Sequence, residues 1–251
     1  MAEPILVLDR LRKAYGALTV TDDLSMTVAP GSIHALIGPN GAGKTTLIGQ
    51  ISGQIAPDAG RIRFAGRDIT DLPMHARCKL GLARSFQITT ILPGFSTLEN
   101  VAVAAQAHAG HSFRFLRPAA AEAELNDAAM AALETVGLTR RAGLRAGSLS
   151  HGEKRQLEIA IALVMRPKLL LLDEPMAGTG HDESARLVET LEALRGTLTI
   201  LLVEHDMEAV FALADRISVL VYGRVIAEGT PEAIRADPEV RTAYLGEESV
   251  R

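Results

Sequence analysis

The chain has 251 residues, 47% of them hydrophobic, which is enough for one large core or one core with a satellite subdomain. A formal net charge of −4, from 26 basic and 30 acidic residues, builds in no general attraction to nucleic acid or anionic lipid, and the single cysteine, Cys78, excludes an internal disulfide and fits a reducing cytosol. Met1-Ala2-Glu3-Pro4 lacks the positive start and apolar stretch of a secretion signal, and no apolar run approaches the ~20 residues needed to cross a bilayer, so any membrane role is expected to come through a partner.

Near the N-terminus, Ile5-Leu6-Val7-Leu8, Met26-Thr27-Val28 and Arg61-Ile62-Arg63-Phe64 read as strands, with turn signals at Pro30-Gly31 and Asp58-Ala59-Gly60. The next apolar run, Ile33 to Ile37, leads directly into Gly38-Pro39-Asn40-Gly41-Ala42-Gly43-Lys44-Thr45-Thr46. This is the Gly-x4-Gly-Lys-Ser/Thr pattern of a phosphate-binding loop: its glycines let backbone N–H groups converge on phosphate oxygens where a Cβ would block the approach. Lys44 supplies charge for the outer phosphates, and the Thr45 hydroxyl suits Mg2+. The helix expected from Thr45 to about Ser52 turns its positive end toward the same anion. A glycine-rich turn without function is the alternative, and the strand preceding it argues against that. A nucleoside triphosphate is the expected ligand.

The stretch from about Thr97 to Met165 is Ala-rich and poor in β-branched clusters, with amphipathic segments from Ala119 to Val136 and from Glu153 to Met165. It reads as a helical subdomain, about 92–165, inserted into an α/β core. His108, His111, Phe113 and Phe115 fall close together here; their spacing matches no metal pattern, and a partly exposed loop is the expectation. At Ser150-His151-Gly152-Glu153 two compatible readings stand. Ser150 and Glu153 form an S-x-x-E capping box, and a helix start with a bare glycine is also an anion site.

Leu169-Leu170-Leu171-Leu172 and the runs 199–203 and 217–221 are nearly all apolar, as strands covered on both faces should be, and helical spacing recurs over 184–195 and 207–214. That alternation predicts an α/β fold with a mainly parallel sheet. Asp173-Glu174 then lies at the carboxyl end of a buried strand, where ligands of parallel sheets sit. Asp173 suits Mg2+ held through water, and Glu174 suits orientation and deprotonation of an attacking water. An acidic strand exit with a helix-capping Asp is the plain structural alternative.

The ordered set from Ile5 to Gly229 resembles the ATP-binding cassette (ABC) family: Tyr15 ahead of the phosphate loop, Gln87 after it, Leu149 to Glu153, Asp173-Glu174, and His205 after a strand. The resemblance implies a phosphate-loop ATPase core with an antiparallel β portion near the N-terminus, the inserted helical subdomain and a C-terminal helical tail over 230–251. It implies that Tyr15 stacks on adenine, that Gln87 reaches Mg2+ and signals to a membrane subunit, and that His205 contacts the γ-phosphate. Ser150, Gly152 and Glu153 look like the signature segment, which completes the ATP site of a second cassette. Two cassettes are therefore the expected working unit, either non-identical paralogues or a homodimer.

Two positions depart from the family pattern. His151 and Glu153 stand where Gly and Gln are common, and a carboxylate near a partner's γ-phosphate is unfavourable unless Lys154, Arg155 or the helix dipole offsets it. Gly180 stands where an Asp is usual, with Asp182 two residues on. The phrases Ala83 to Gln87, Leu157 to Ala160, Glu204 to Met207, Glu228 to Pro231 and Ala243 to Gly246 are most similar to ATPases of branched-chain amino-acid uptake systems. That likeness implies permease subunits in the membrane, a periplasmic substrate-binding protein feeding them, and a peripheral place on the cytoplasmic face of the plasma membrane, with no nucleic-acid partner. Related amides, urea or aromatic acids belong to the same substrate range. A lipopolysaccharide-export ATPase, a soluble cassette ATPase of DNA repair or translation, and a simple nucleotide kinase are the competing readings. A repair or translation ATPase usually brings a coiled-coil insertion or a second cassette in the chain, and a kinase has no reason to combine the signature segment with Gln87 and His205.

Overall fold

The computed structural model describes residues 3–85, 91–109 and 123–242. Strands β1 (Leu6–Tyr15), β2 (Leu18–Val28), β4 (Ala59–Phe64) and β5 (Arg67–Asp68) form an antiparallel sheet in the order β2-β1-β4-β5. A second sheet runs β10-β9-β3-β8-β7-β6, from β3 (Ile33–Ile37), β6 (Leu82–Arg84), β7 (Leu169–Asp173), β8 (Thr199–Val203), β9 (Arg216–Val221) and β10 (Arg224–Gly229). All its pairings are parallel except the edge pair β10–β9. This is the α/β phosphate-loop architecture that the sequence predicts.

The apolar strands are covered on both faces because alternate residues enter different cores. Leu169, Leu171, Leu201 and Val203 join Leu47, Ile48 and Ile51 of α1 (Lys44–Ser52) and the inner face of the antiparallel sheet. Leu170, Leu172, Ile200 and Leu202 point the other way. They pack with residues of α3 (Thr97–Ala109), α4 (Ala123–Thr135), α5 (His151–Leu163) and α6 (His181–Ala193). The predominantly helical segment therefore shares its core with one face of the main sheet.

Several expectations shift in extent. Strands foreseen as four- and three-residue pieces extend to 10 residues in β1 and 11 in β2. The amphipathic segment begins, among described residues, at Ala123, and the helix foreseen from Glu153 starts at His151. His108 lies in the last turn of α3 and not in a loop, because the alanine-rich helix runs on to Ala109; His111, Phe113 and Phe115 lie outside the described residues. The same holds for Gln87, for Phe86, and for the 243–246 phrase. Of the expected C-terminal helical tail, α8 (Pro231–Ala236) and α9 (Pro238–Val240) are described. No described helix is long and apolar enough to cross a membrane.

Candidate functional site

Strands β3, β8 and β7 are adjacent and in register, with Leu36 paired to Val203 and Val203 paired to Asp173. Their carboxyl ends consequently bring three segments to one edge: the loop 38–43, Asp173-Glu174 and Glu204-His205. The loop enters α1 through Gly43 at φ 105°, and Gly41 also has a positive φ of 80°. Ala42 accepts a backbone hydrogen bond from Gly223 in the β9–β10 turn at 2.9 Å, anchoring the loop from outside. Lys44 is buried, its Nζ donating to the carbonyls of Gly38 at 2.6 Å and Pro39 at 3.1 Å. Burial pulls its ammonium below the usual lysine range, while the nearby Glu174 and Asp173 charges oppose that shift. Asn40 and Thr45 are exposed and Thr46 half-buried.

Asp173 is buried and accepts from Arg84 Nη2 at 3.0 Å through Oδ2. Its Oδ1 is equally buried and has no hydrogen-bond partner among the described residues. Burial pushes this carboxyl up, against the opposing pull of Arg84. An orphaned buried carboxylate oxygen is costly unless something polar completes it. With the Thr45 hydroxyl at the same edge, it forms a hard-oxygen donor set that fits Mg2+. Arg84 also reaches Gln54 and Ser52 at the end of α1, so it ties the Asp173 carboxylate to the helix that follows the phosphate loop. Glu174 follows at φ 49°, a left-handed conformation uncommon for a residue with a Cβ, and its amide donates to Val203 O at 2.8 Å. That turn separates the direction of Glu174 from that of Asp173.

His205 presents a largely exposed imidazole. The residue before it, Glu204, is fully buried. Its Oε1 accepts from Met176 N–H at 2.8 Å and its Oε2 from His205 N–H at 3.0 Å and Asp206 N–H at 3.4 Å. Tyr15 ends β1 with half its surface exposed, and Lys13 Nζ lies 5.5 Å from its ring centroid.

Ser150 caps α5 in the capping box foreseen from the sequence: its Oγ accepts from Glu153 N–H at 3.2 Å, and Glu153 Oε2 accepts from Ser150 N–H at 2.9 Å. Glu153 Oε1 accepts from Arg141 Nε at 2.7 Å, so the cation that offsets this carboxylate is Arg141, whereas Arg155 pairs with Glu158. The carboxylate that faces the bare helix start is a different one. Glu183 of α6 accepts from Ser150 Oγ at 2.9 Å, and a Cβ on Gly152 would come within 2.5 Å of its carboxyl carbon. The Ser150 hydroxyl, together with the amides of Gly180 and Gly152, holds Glu183 below the usual carboxylate range. Gly180 is the N-cap of α6, and Asp182 is exposed in that helix's first turn. Among the described residues no hydrogen bond or ion pair joins this helix start to the phosphate loop.

The sequence reading did not assign roles to Arg84, Glu183 or Glu204. Arg84 and Glu204 sat inside phrases used only for family likeness, and their partners are 89 and 28 residues away in the chain.

The chain is similar to known proteins in both sequence and fold. The family model described as ABC transporter matches residues 21–177, and a second, described as branched-chain amino acid ATP-binding cassette transporter, matches residues 224–250. The high-affinity branched-chain amino acid transport ATP-binding protein BraF of Pseudomonas aeruginosa is 39% identical over 98% of this chain and 100% of its own length. LivG of Escherichia coli, given the same description, is 37% identical with the same coverage. A crystal structure of the ADP conformation of an ABC transporter's ATP-binding cassette superposes with a TM-score of 0.86 at 30% identity, covering 98% of this chain and 100% of that one.

Proposed function

The chain belongs to the ATP-binding cassette transporter family, and from that premise we propose that it is the ATP-hydrolysing subunit of an importer for branched-chain amino acids or related small molecules. The observation that carries the catalytic part is the meeting of the phosphate loop, Asp173-Glu174 and Glu204-His205 at one edge of three in-register strands. The transport part is supported by the family match over 224–250 and by the names of the full-length relatives.

In this reading the backbone amides from Gly38, Asn40, Gly41 and Gly43 to Thr46 cradle the phosphates, and Lys44 exchanges its loop carbonyls for phosphate oxygens. Tyr15 offers its exposed ring to adenine. Thr45, Asp173 through water, and Gln87 would hold Mg2+, which would supply positive charge against that developing on the phosphates. Glu174 orients the attacking water and accepts its proton, and His205 contacts the γ-phosphate. Ser150, Gly152 and Glu153 serve the ATP of a second cassette, identical or paralogous. Of these, Glu153 is engaged through both oxygens, so its contribution is to hold the helix start open. Tight binding of ATP to the closed pair and its loss on hydrolysis supply the work, since a ligand drives closure only by contacting the closed state better.

The permease is expected to dock on segment 88–100, in which Leu92 and Phe95 are exposed large apolar residues. That docking places the subunit peripherally on the cytoplasmic face, within reach of a system fed by a periplasmic binding protein.

Replacing Glu174 with Gln tests the assignment. ATP binding should survive, and hydrolysis by the purified complex should fall about a thousandfold, within the range for a lost general base. Turnover at the unsubstituted rate would refute it.

A further inference from the structure

We propose that Glu204 is a positioning residue that fastens the Glu174 loop to the His205 loop, so that base and γ-phosphate sensor act as one rigid unit. The inference rests on the roles just assigned to those two residues. Glu204 directly follows β8 with no exposed surface, yet carries a carboxylate whose two oxygens are divided between loops. Oε1 holds the amide of Met176, two residues after Glu174; Oε2 holds the amides of His205 and Asp206. The His205 ring lies 3.8 Å from Oε2 and largely in solvent. Backbone amides thus do most of what keeps this charge tolerable in the interior, and the interior pushes the carboxyl upward in response.

The chemistry of the side chain explains why a costly group sits there. A carboxylate is acceptor-only on both oxygens, whereas an amide of the same shape accepts on one side and donates on the other. Holding a single loop would require one acceptor, which Ser, Thr or Gln could supply. Holding two loops whose amides approach from opposite sides requires acceptors at both ends of the group. Glu204→Gln is therefore a directional change: whichever way the amide turns, its NH2 meets an N–H, and one loop is released.

The test uses the assembled complex with its second cassette and permease. For Glu204→Gln, kcat for ATP hydrolysis should fall 10- to 100-fold while KM for ATP changes less than twofold, because the phosphate loop is untouched. In a His205→Ala background, where the sensor is already lost, the further loss from Glu204→Gln should shrink to threefold or less, the coupling expected of parts that act together. Glu204→Asp, which keeps the charge one methylene shorter, should recover part of kcat. An unchanged kcat, an equal loss in both backgrounds, a loss expressed mainly in KM, or failure of both Glu204 variants to fold would overturn the proposal in favour of a purely structural role. If instead Glu174→Gln or His205→Ala itself hydrolyses ATP at the original rate, the catalytic reading fails first, and the two failures are told apart.

Discussion

Gly38 and Gly43 bracket the phosphate loop, and each is pressed against backbone. A Cβ on Gly38 would sit 2.1 Å from the carbonyl oxygen of Leu220, and one on Gly43 would sit 2.5 Å from that of Val20. Backbone oxygens cannot swing aside as a long side chain can, so an added methyl moves the loop itself. At Gly43 the φ of 105° adds strain for any residue with a Cβ. Gly43→Ala should cost about 1–3 kcal/mol of stability, the range for overpacking, and should weaken ATP binding at least tenfold as the amides that follow lose their aim. Titration with a fluorescent ATP analogue, alongside a melting curve, separates the two effects. A variant that binds the analogue as tightly as the parent would show that loop geometry is more forgiving than these contacts imply. At Gly152 the crowding comes from a side chain instead: a Cβ there would meet the carboxyl group of Glu183, which can withdraw, and at 2.8 Å the Glu183 Cβ, which cannot.

Helix α1 holds the loop's direction, and its far end depends on one buried arginine. Arg77, from α2 (Met74–Lys79), donates Nη1 to the carbonyls of Gln50 at 2.7 Å and Ile51 at 2.8 Å, and reaches Leu72 and Thr70 with Nε and Nη2. It thereby satisfies orphan carbonyls at the α1 C-terminus while suiting the negative end of the helix dipole. Arg77→Met keeps much of the aliphatic bulk and deletes the donors. It should cost about 3 kcal/mol and lower the melting temperature by roughly 10 °C, with the ATPase mechanism otherwise intact below that temperature. A shift of less than about 2 °C would mean water replaces the guanidinium without penalty. Much of this element layer was legible in the sequence where burial is two-sided: Leu169 to Leu172 and 199–203 announce strands, and the glycine spacing at 38–43 announces the loop. The polar half of β1, Asp9 to Tyr15, escaped because one face of that sheet is exposed and its charges dilute the apolar signal. Strands β6 and β10 escaped because three residues at one edge and a half-buried strand at the other carry little pattern. Within the site, local spacing names the phosphate loop and Asp173-Glu174. It does not name Glu204, Arg84 and Glu183, because their meaning lies in partners supplied by distant chain.

At the scale of the molecule, stability against acid should be governed in one window by His34. The ring is buried in β3, with Nε2 2.8 Å from Ser218 Oγ and Nδ1 without a partner among the described residues, and Ser218 in turn donates to Glu228, which also accepts from Arg216. Burial pulls the imidazole down to about 4, with Glu228 opposing and Arg216 assisting. In the unfolded chain it would titrate near 6.5. Between these values the unfolded state binds the extra proton, so stability rises with pH across the window and falls on acidification from about 6.5 toward 4, by up to about 3 kcal/mol. Asp173 and Glu204, both raised by burial, contribute the opposite slope, since the fold favours their protonated forms. A difference measurement isolates His34: melting temperatures of the parent and of His34→Gln, taken from pH 7 to pH 4.5, should diverge in slope, the parent losing stability more steeply. Parallel slopes would show that the acid sensitivity of the whole molecule resides elsewhere. The stake is functional as well as thermal, because β3 is the strand that delivers the phosphate loop. Charging His34 would add a buried ion, only partly offset by Glu228, at the centre of the sheet, four residues before Gly38, and should loosen nucleotide binding in the same pH range.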